Sequence, residues 1–169
     1  NAAPVFIECH RLSPFNIRGL DVPVVLDLMI HDIDLVLSLI NSPIKEIHAS
    51  GACIVSDLID LANARILFEN DAVVNMTASR ISNKQMRKMR IFEKNSYSSL
   101  NFQTQECKRW SMKNNKSVEL PVVKNNNINA LYEELNSFIS CIKNNKKALV
   151  AENEALNALK VAIKIQNII

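Results

Sequence analysis

Between Val22 and Ile40 the chain is apolar almost without a break, and its ionisable interruptions are Asp27, His31, Asp32 and Asp34. A segment this long and this apolar has to leave water, and a helix satisfies its own backbone while doing so. The polar interruptions leave no apolar run of the roughly 18 residues that a bilayer span needs. Pro23 suits a first helical turn, Asp21 is placed to cap it, and Pro43 closes it after about Asn41. The chain must therefore supply a surface large enough to bury this helix.

That surface reads as a sheet. Val5 to Leu12 is rich in β-branched and aromatic residues and ends at Ser13-Pro14. Ile44 to Val55 reads as a second strand, with Gly51 as a candidate bulge. Ala62 to Glu69 and Ala72 to Arg80 flank a hairpin turn at Asn70-Asp71, and Arg87 to Lys94 and Tyr97 to Phe102 flank another at Asn95-Ser96. Ala64, Ile66 and Phe68 alternate with Asn63, Arg65 and Glu69, and Val74, Met76 and Ala78 with Asn75, Thr77 and Ser79, so one face is apolar and the other polar. Short edge pieces are expected near Cys107 to Met112 and Val118 to Val123. The periodicity then changes to three and four, predicting helices over Asn129 to Lys143 and Asn153 to Ile168. The fold class is α+β: an open, largely antiparallel mixed sheet with the helices packed on one face.

Composition narrows the function. A chain of 169 residues suits one domain, and a net charge of +3 is too small to argue for nucleic acid. The densest basic stretch, Lys84 to Arg90, lacks interleaved aromatics and reads as a solvated strand rim. Cys9, Cys53, Cys107 and Cys141 are far apart with no CxxC pair, which reads as free buried thiols in a reducing cytoplasm. No secretory signal opens the chain, and no membrane contact is expected. The strand-like run starts close to Asn1, which is not Met, so an excised domain is expected.

Asp27, His31 and Asp34 recur at four- and three-residue spacing and share a helical face. A carboxylate one turn from an imidazole can orient it as a general acid/base. The same spacing fits a satisfied buried pair tying helix to sheet. A metal site on these three side chains would need an outlying ligand that the sequence does not supply at a recognisable spacing. With two glycines in all, the chain has no dinucleotide-binding glycine loop of its own.

The run VFIECHRLSPFNIRGLDVPVVLDLMIHDIDLVLSLI resembles the start of the C-terminal domain in the Gfo/Idh/MocA oxidoreductases, where a strand ending in a basic residue leads to a helix bearing D-x-x-x-H, often followed by D-x-D. Here these are Arg11, the loop from Ser13 to Arg18, and Asp27, His31, Asp32 and Asp34. ANARILFENDAVVNMTASR is similar to the family's strand-turn-strand signature ending in S-R.

The resemblance implies that residues 1–169 form a C-terminal substrate-binding and oligomerisation domain. NAD or NADP would be held mainly by an N-terminal Rossmann domain not contained in this chain. The reaction implied is oxidation of a secondary hydroxyl of a sugar, cyclitol or sugar nucleotide, or its reverse, with His31 as the catalytic acid/base and Asp27 as its acidic helper. Arg11, Asn16, Arg18 and Asp34 become candidate substrate contacts. The chain on its own is expected neither to hold the dinucleotide tightly nor to turn over, and to form a homo-oligomer through the polar sheet face. Two other readings stand beside this one: a non-catalytic binding or dimerisation module, and a glycosidase of the same superfamily. His10, His48 and Trp110 read as structural.

Overall fold

The computed structural model describes residues 3–17, 19–113, 116–124, 128–148 and 150–169. Strand β1 (Pro4–Leu12) runs through a loop into a π turn (Val25–Met29) and helix α1 (Ile30–Leu39). Strands β2 (Ile44–Ala52), β3 (Leu61–Phe68), β4 (Val73–Ser79), β5 (Met86–Glu93), β6 (Ser96–Asn101), β7 (Glu106–Lys113), β8 (Lys116–Glu119) and β9 (Val123–Lys124) follow, then helices α2 (Ala130–Lys143) and α3 (Glu152–Ile168). All nine strands form one sheet in the order β2-β3-β4-β1-β5-β6-β7-β8, with β9 also on β7. Among the described residues only the β1–β4 pair is parallel, so the sheet is open, mixed and largely antiparallel as its alternation predicts.

Asp71 and Asn95 turn the hairpins at φ 62° and 65°, a left-handed geometry that Asp and Asn tolerate better than most residues. The alternating apolar residues then converge: Ile7, Ala64, Ile66, Phe68, Val74, Met76 and Met89 are buried under Val24, Val25, Met29, Ile33 and Val36. Ala158, Ala162 and Ile165 bring α3 into the same core. Each fully buried large aliphatic or aromatic side chain there contributes about 1.5–3 kcal/mol relative to exposure.

Several local features depart from the sequence reading. Asp21 does not cap the first helix; the N-cap is Val24, with no side-chain cap, and the Val24 amide donates to Ile59 O at 2.9 Å. Strand β2 ends at Ala52, because the amides of Ile54, Val55 and Ser56 turn toward the Asp60 carboxylate at 2.7–3.0 Å. Gly51 is no bulge: a Cβ there would lie 2.8 Å from Ile169 Cγ2 and 3.0 Å from Leu61 O, so its hydrogen makes room for the end of α3. Strand β7 is a full inner strand rather than a short edge piece, set up by a turn in which Asn101 accepts from the amides of Gln103 and Thr104.

Helix α3 packs on the sheet but α2 buries no residue, and Leu131, Leu135, Phe138 and Ile142 stand exposed. Of the cysteines only Cys9 is buried; Cys53 is exposed and the other two are half-buried.

The uncovered sheet face is striped. Its cross-strand partners Phe6, Phe92, Tyr97 and Trp110 form one aromatic row, with successive ring centroids 5.8, 4.9 and 5.1 Å apart. Beside it, polar side chains bond one another in the plane of the sheet: Arg90 to Glu8 at 2.9 Å, Arg65 to Asn75 at 3.1 Å and Asn63 to Thr77 at 3.0 Å. Ser79, at the end of the face, is buried by the loop that follows it, where Ile81 N and the Ser82 hydroxyl donate to its Oγ.

Candidate active site on the first helix

Strand β1 and helix α1 meet at a buried ion pair. Arg11 Nε and Nη2 donate to the two carboxylate oxygens of Asp32 at 3.0 and 2.8 Å, with the side chains 11% and 5% exposed. The fork matches the carboxylate in one plane, which makes the pair directional as well as strong. Arg11 therefore spends this edge on the first turn of α1. Cys9 lies close by; burial, and then the Asp32 charge, raise its thiol far above the usual range, so it stays protonated.

With Asp32 turned inward, its neighbour His31 points outward. Both His31 and Asp27 are exposed, although the segment around them supplies Val25, Met29, Ile33 and Val36 to the core. Among the described residues neither side chain has a hydrogen-bond or ion-pair partner, so the structure does not join them to each other. A satisfied buried pair is not what this helix carries.

Asp27 sits in the π turn, where the Ile30 amide reaches back five residues to Val25 O. Such wide turns are uncommon and occur frequently at functional sites. Gly19, at φ 77°, lies against Asp27: a Cβ there would be 3.5 Å from its Oδ2.

The other sequence candidates spread around this point. Asn16 is exposed on the loop after β1, between the exposed Phe15 and Ile17. Arg18 lies outside the described residues. Asp34 is half-buried and lines an open groove between α1 and α3 with Ser38, Asn41, Glu154 and Asn157, a group that does not include His31. His48 pairs with Glu46 at 2.9 Å, and Trp110 stacks on Tyr97. Among the described residues no three His, Cys, Asp or Glu side chains gather as a metal-binding group. No described helix is long and apolar enough to cross a membrane.

Two buried residues to which the sequence reading gives no role organise the approach to the site. Arg80 bonds the carbonyls of Gly19 and Val22, in the turn before Asp27, and its Nε lies 3.7 Å from Asp60 Oδ1. Burial alone would raise the Asp60 pKa, but the amides of Val55 and Ile54 and the hydroxyl and amide of Ser56 outweigh it and hold the group at about 2. The only sequence signal for Arg80 is the Ser-Arg pair at the end of its strand.

This strand, loop and helix recur in known proteins. The family profile described as GFO/IDH/MocA C-terminal domain matches residues 13–95, and the chain belongs to that family. Over 100 residues it is 42% identical to UDP-N-acetylglucosamine 3-dehydrogenase of Acidithiobacillus ferrooxidans, an alignment covering 59% of this chain and 32% of that protein. A solved structure of the enzyme of that name and organism superposes with a TM-score of 0.88 at 30% identity, covering 99% of this chain and 54% of its own. A levoglucosan dehydrogenase in complex with NADH and L-sorbose shares the fold at a TM-score of 0.82 and 12% identity, over 98% of this chain and 56% of its own. The chain thus spans about half the length of the solved dehydrogenases it matches.

Proposed function

We propose that this chain is the substrate-side half of an NAD(P)-dependent oxidoreductase acting on a secondary hydroxyl of a sugar, with a sugar nucleotide as the leading substrate class. The observation that carries the reading is the outward presentation of Asp27 and His31, one turn apart, from a segment otherwise committed to the core. Both side chains lie outside the core and are open to solvent, which leaves them accessible to a substrate. The likeness to a sugar-nucleotide dehydrogenase supports the substrate class.

The dinucleotide does not fit this chain's own residues. Gly51 is filled by Ile169, Gly19 opens a single turn, and a sheet with one parallel pair has no doubly wound crevice to receive a pyrophosphate. The cofactor, and the hydride it accepts, belong in this reading to a separate dinucleotide-binding domain, and 169 residues alone would be inactive.

On this side of the cleft, His31 takes the proton of the substrate hydroxyl as its carbon is oxidised, and returns it in the reverse direction. Asp27 holds an adjacent hydroxyl or steadies the imidazolium once substrate brings the two together; long apo distances at catalytic groups are common. Asn16 on the loop after β1 is assigned to a hydroxyl or phosphate contact, Arg18 is assigned to the same from its sequence position, and Asp34 to a substrate hydroxyl. Arg11 contributes by seating the turn that carries His31. Free thiols and the lack of disulfides suit a reducing cytoplasm. Self-association is assigned to the open sheet face, with the aromatic row as its anchor and paired polar groups around it.

The test is His31→Ala in the enzyme complete with its dinucleotide-binding domain. Turnover should fall by roughly a hundred- to ten-thousand-fold. The melting temperature should stay near that of the wild type, because the side chain is exposed and takes no part in the core. Near-normal turnover in a folded variant would end the catalytic assignment. It would favour the binding-module reading.

A further inference from the structure

Helix entries are ordinarily fixed by a capping side chain, and this one has none: the N-cap is Val24. Its direction is set from outside. Arg80, its side chain 5% exposed, enters from the end of β4. Its Nη1 donates to Gly19 O at 2.6 Å and its Nη2 to Val22 O. Those two carbonyls bracket a turn closed by Val22 N donating to Gly19 O at 3.3 Å. The remaining edge of the guanidinium faces Asp60, 3.7 Å away. Asp60 cannot swing, because Oδ2 accepts from the amides of Ile54, Val55 and Ser56 and Oδ1 from the Ser56 hydroxyl.

The same junction is bolted a second time through the backbone. Val24 N donates to Ile59 O at 2.9 Å, and Arg80 N to Asp60 O at 3.0 Å. Segment 59–60 and residue 80 therefore grip the chain from Gly19 to Val24. Immediately downstream, the amides of Leu26 and Asp27 both donate to Pro23 O at 3.0 Å. On its other side the gripped turn touches the candidate site itself, since Gly19 lies against the Asp27 carboxylate.

We infer that Arg80, braced by Asp60, is a positioning residue that fixes the turn Gly19–Val22 and, through it, the direction in which the π turn presents Asp27 and His31. The inference rests on the reading that these two residues are the catalytic pair. Two divergent carbonyls and a carboxylate around one cation call for a planar, multi-donor fork. A lysine ammonium is a single point charge and cannot span all three. Burying a guanidinium largely against neutral carbonyls is a costly way to stabilise a fold, and an apolar side chain would fill the space at less cost. What the cation adds is a fixed geometry for the strand-to-helix junction.

The experiment uses this 169-residue chain, with Arg80→Lys and Arg80→Met, and reads amide exchange residue by residue together with the imidazole resonances. The amides of Val24, Leu26 and Asp27 should exchange roughly ten times faster in both variants, while Ile66 and Val74 in the sheet change much less. The His31 resonance should move, with His10 and His48 as internal controls on other strands. Unchanged protection and an unmoved His31 in a folded variant would overturn the inference. So would acceleration spread evenly over the whole sheet, the mark of a general structural brace. Should Arg80→Met fail to fold, Arg80→Lys carries the same comparison.

Turnover of the complete enzyme separates the two claims. If His31→Ala leaves turnover intact while Arg80→Lys still loosens the turn, the catalytic reading fails and only the mechanical part of the inference stands. If His31→Ala abolishes turnover but Arg80→Lys moves neither exchange nor kcat, the positioning role fails alone.

Discussion

Removing one partner of the Arg11–Asp32 pair should cost far more than removing both. The carboxylate is 5% exposed and the guanidinium 11%, with both contacts at or below 3.0 Å. Arg11→Met leaves an unpaired carboxylate in the core, and Asp32→Leu an unpaired guanidinium; either should destabilise by about 3–5 kcal/mol. Replacing both with apolar groups of similar volume is close to neutral in comparable buried pairs, so the double variant should recover most of that loss. The two single losses would then sum to about 6–10 kcal/mol against a near-neutral double, a coupling of about 5 kcal/mol or more, well above what independent sites show. In a domain of this size each kcal/mol moves the melting temperature by about 2–4 °C, so each single variant should melt roughly 6–20 °C lower. Urea denaturation of the wild type and the three variants closes the cycle. Single losses under about 1 kcal/mol, or a double loss equal to their sum, would show that the pair behaves as a solvent-screened surface contact and would refute the argument.

Other outcomes follow from single positions. Asp60 titrates at about 2 when folded, below the usual carboxylate value of about 3.9, so its charge stabilises the fold fully above about pH 4 and that contribution is lost as pH falls toward 2. Asp60→Asn should therefore flatten the decline of melting temperature between pH 5 and 2, and parallel profiles would contradict it. Gly51→Ala puts a methyl 2.8 Å from Ile169 and 3.0 Å from a backbone oxygen, and should destabilise by about 1–3 kcal/mol in thermal melts; a neutral result would mean the α3 terminus yields freely. The sheet face should support a dimer in sedimentation at tens of micromolar that Tyr97→Arg weakens; a strict monomer for the wild type would remove the assignment.

The sequence is most legible where structure is local. Alternation in β3 and β4 marks their buried faces, and three-four spacing marks the ranges of α2 and α3 to within a residue or two. The Asp27–His31 spacing singles out a candidate pair one turn apart, although the structure leaves the two side chains unjoined. It does not say whether they face in or out; that depends on Asp32, whose partner lies 21 residues back in β1. Arg80 reaches 58 and 61 residues back to Val22 and Gly19, and no pattern within a strand encodes such a contact. The π turn escapes for a related reason: its residues also satisfy an ordinary helical period. For α2 the period reports an apolar stripe and not what the stripe meets.

The central place of β1 has a consequence for how the chain acquires its shape. Strands β2-β3-β4 and β5-β6-β7-β8 are two meanders built from near neighbours, and β1 is the only strand that joins them. Phe6 pairs with Val73 on one side and Phe92 on the other, so β1 must wait for β4 and β5, roughly 60 to 90 residues further on, to leave the ribosome. Contacts this distant in sequence slow folding because the intervening loops close at an entropic cost. Until then the segment VFIECHRL is an unpaired, aggregation-prone strand with two open edges. Pulse-labelled hydrogen exchange during refolding should find the β1 amides protected after those of the β3–β4 hairpin, and simultaneous protection would exclude this order.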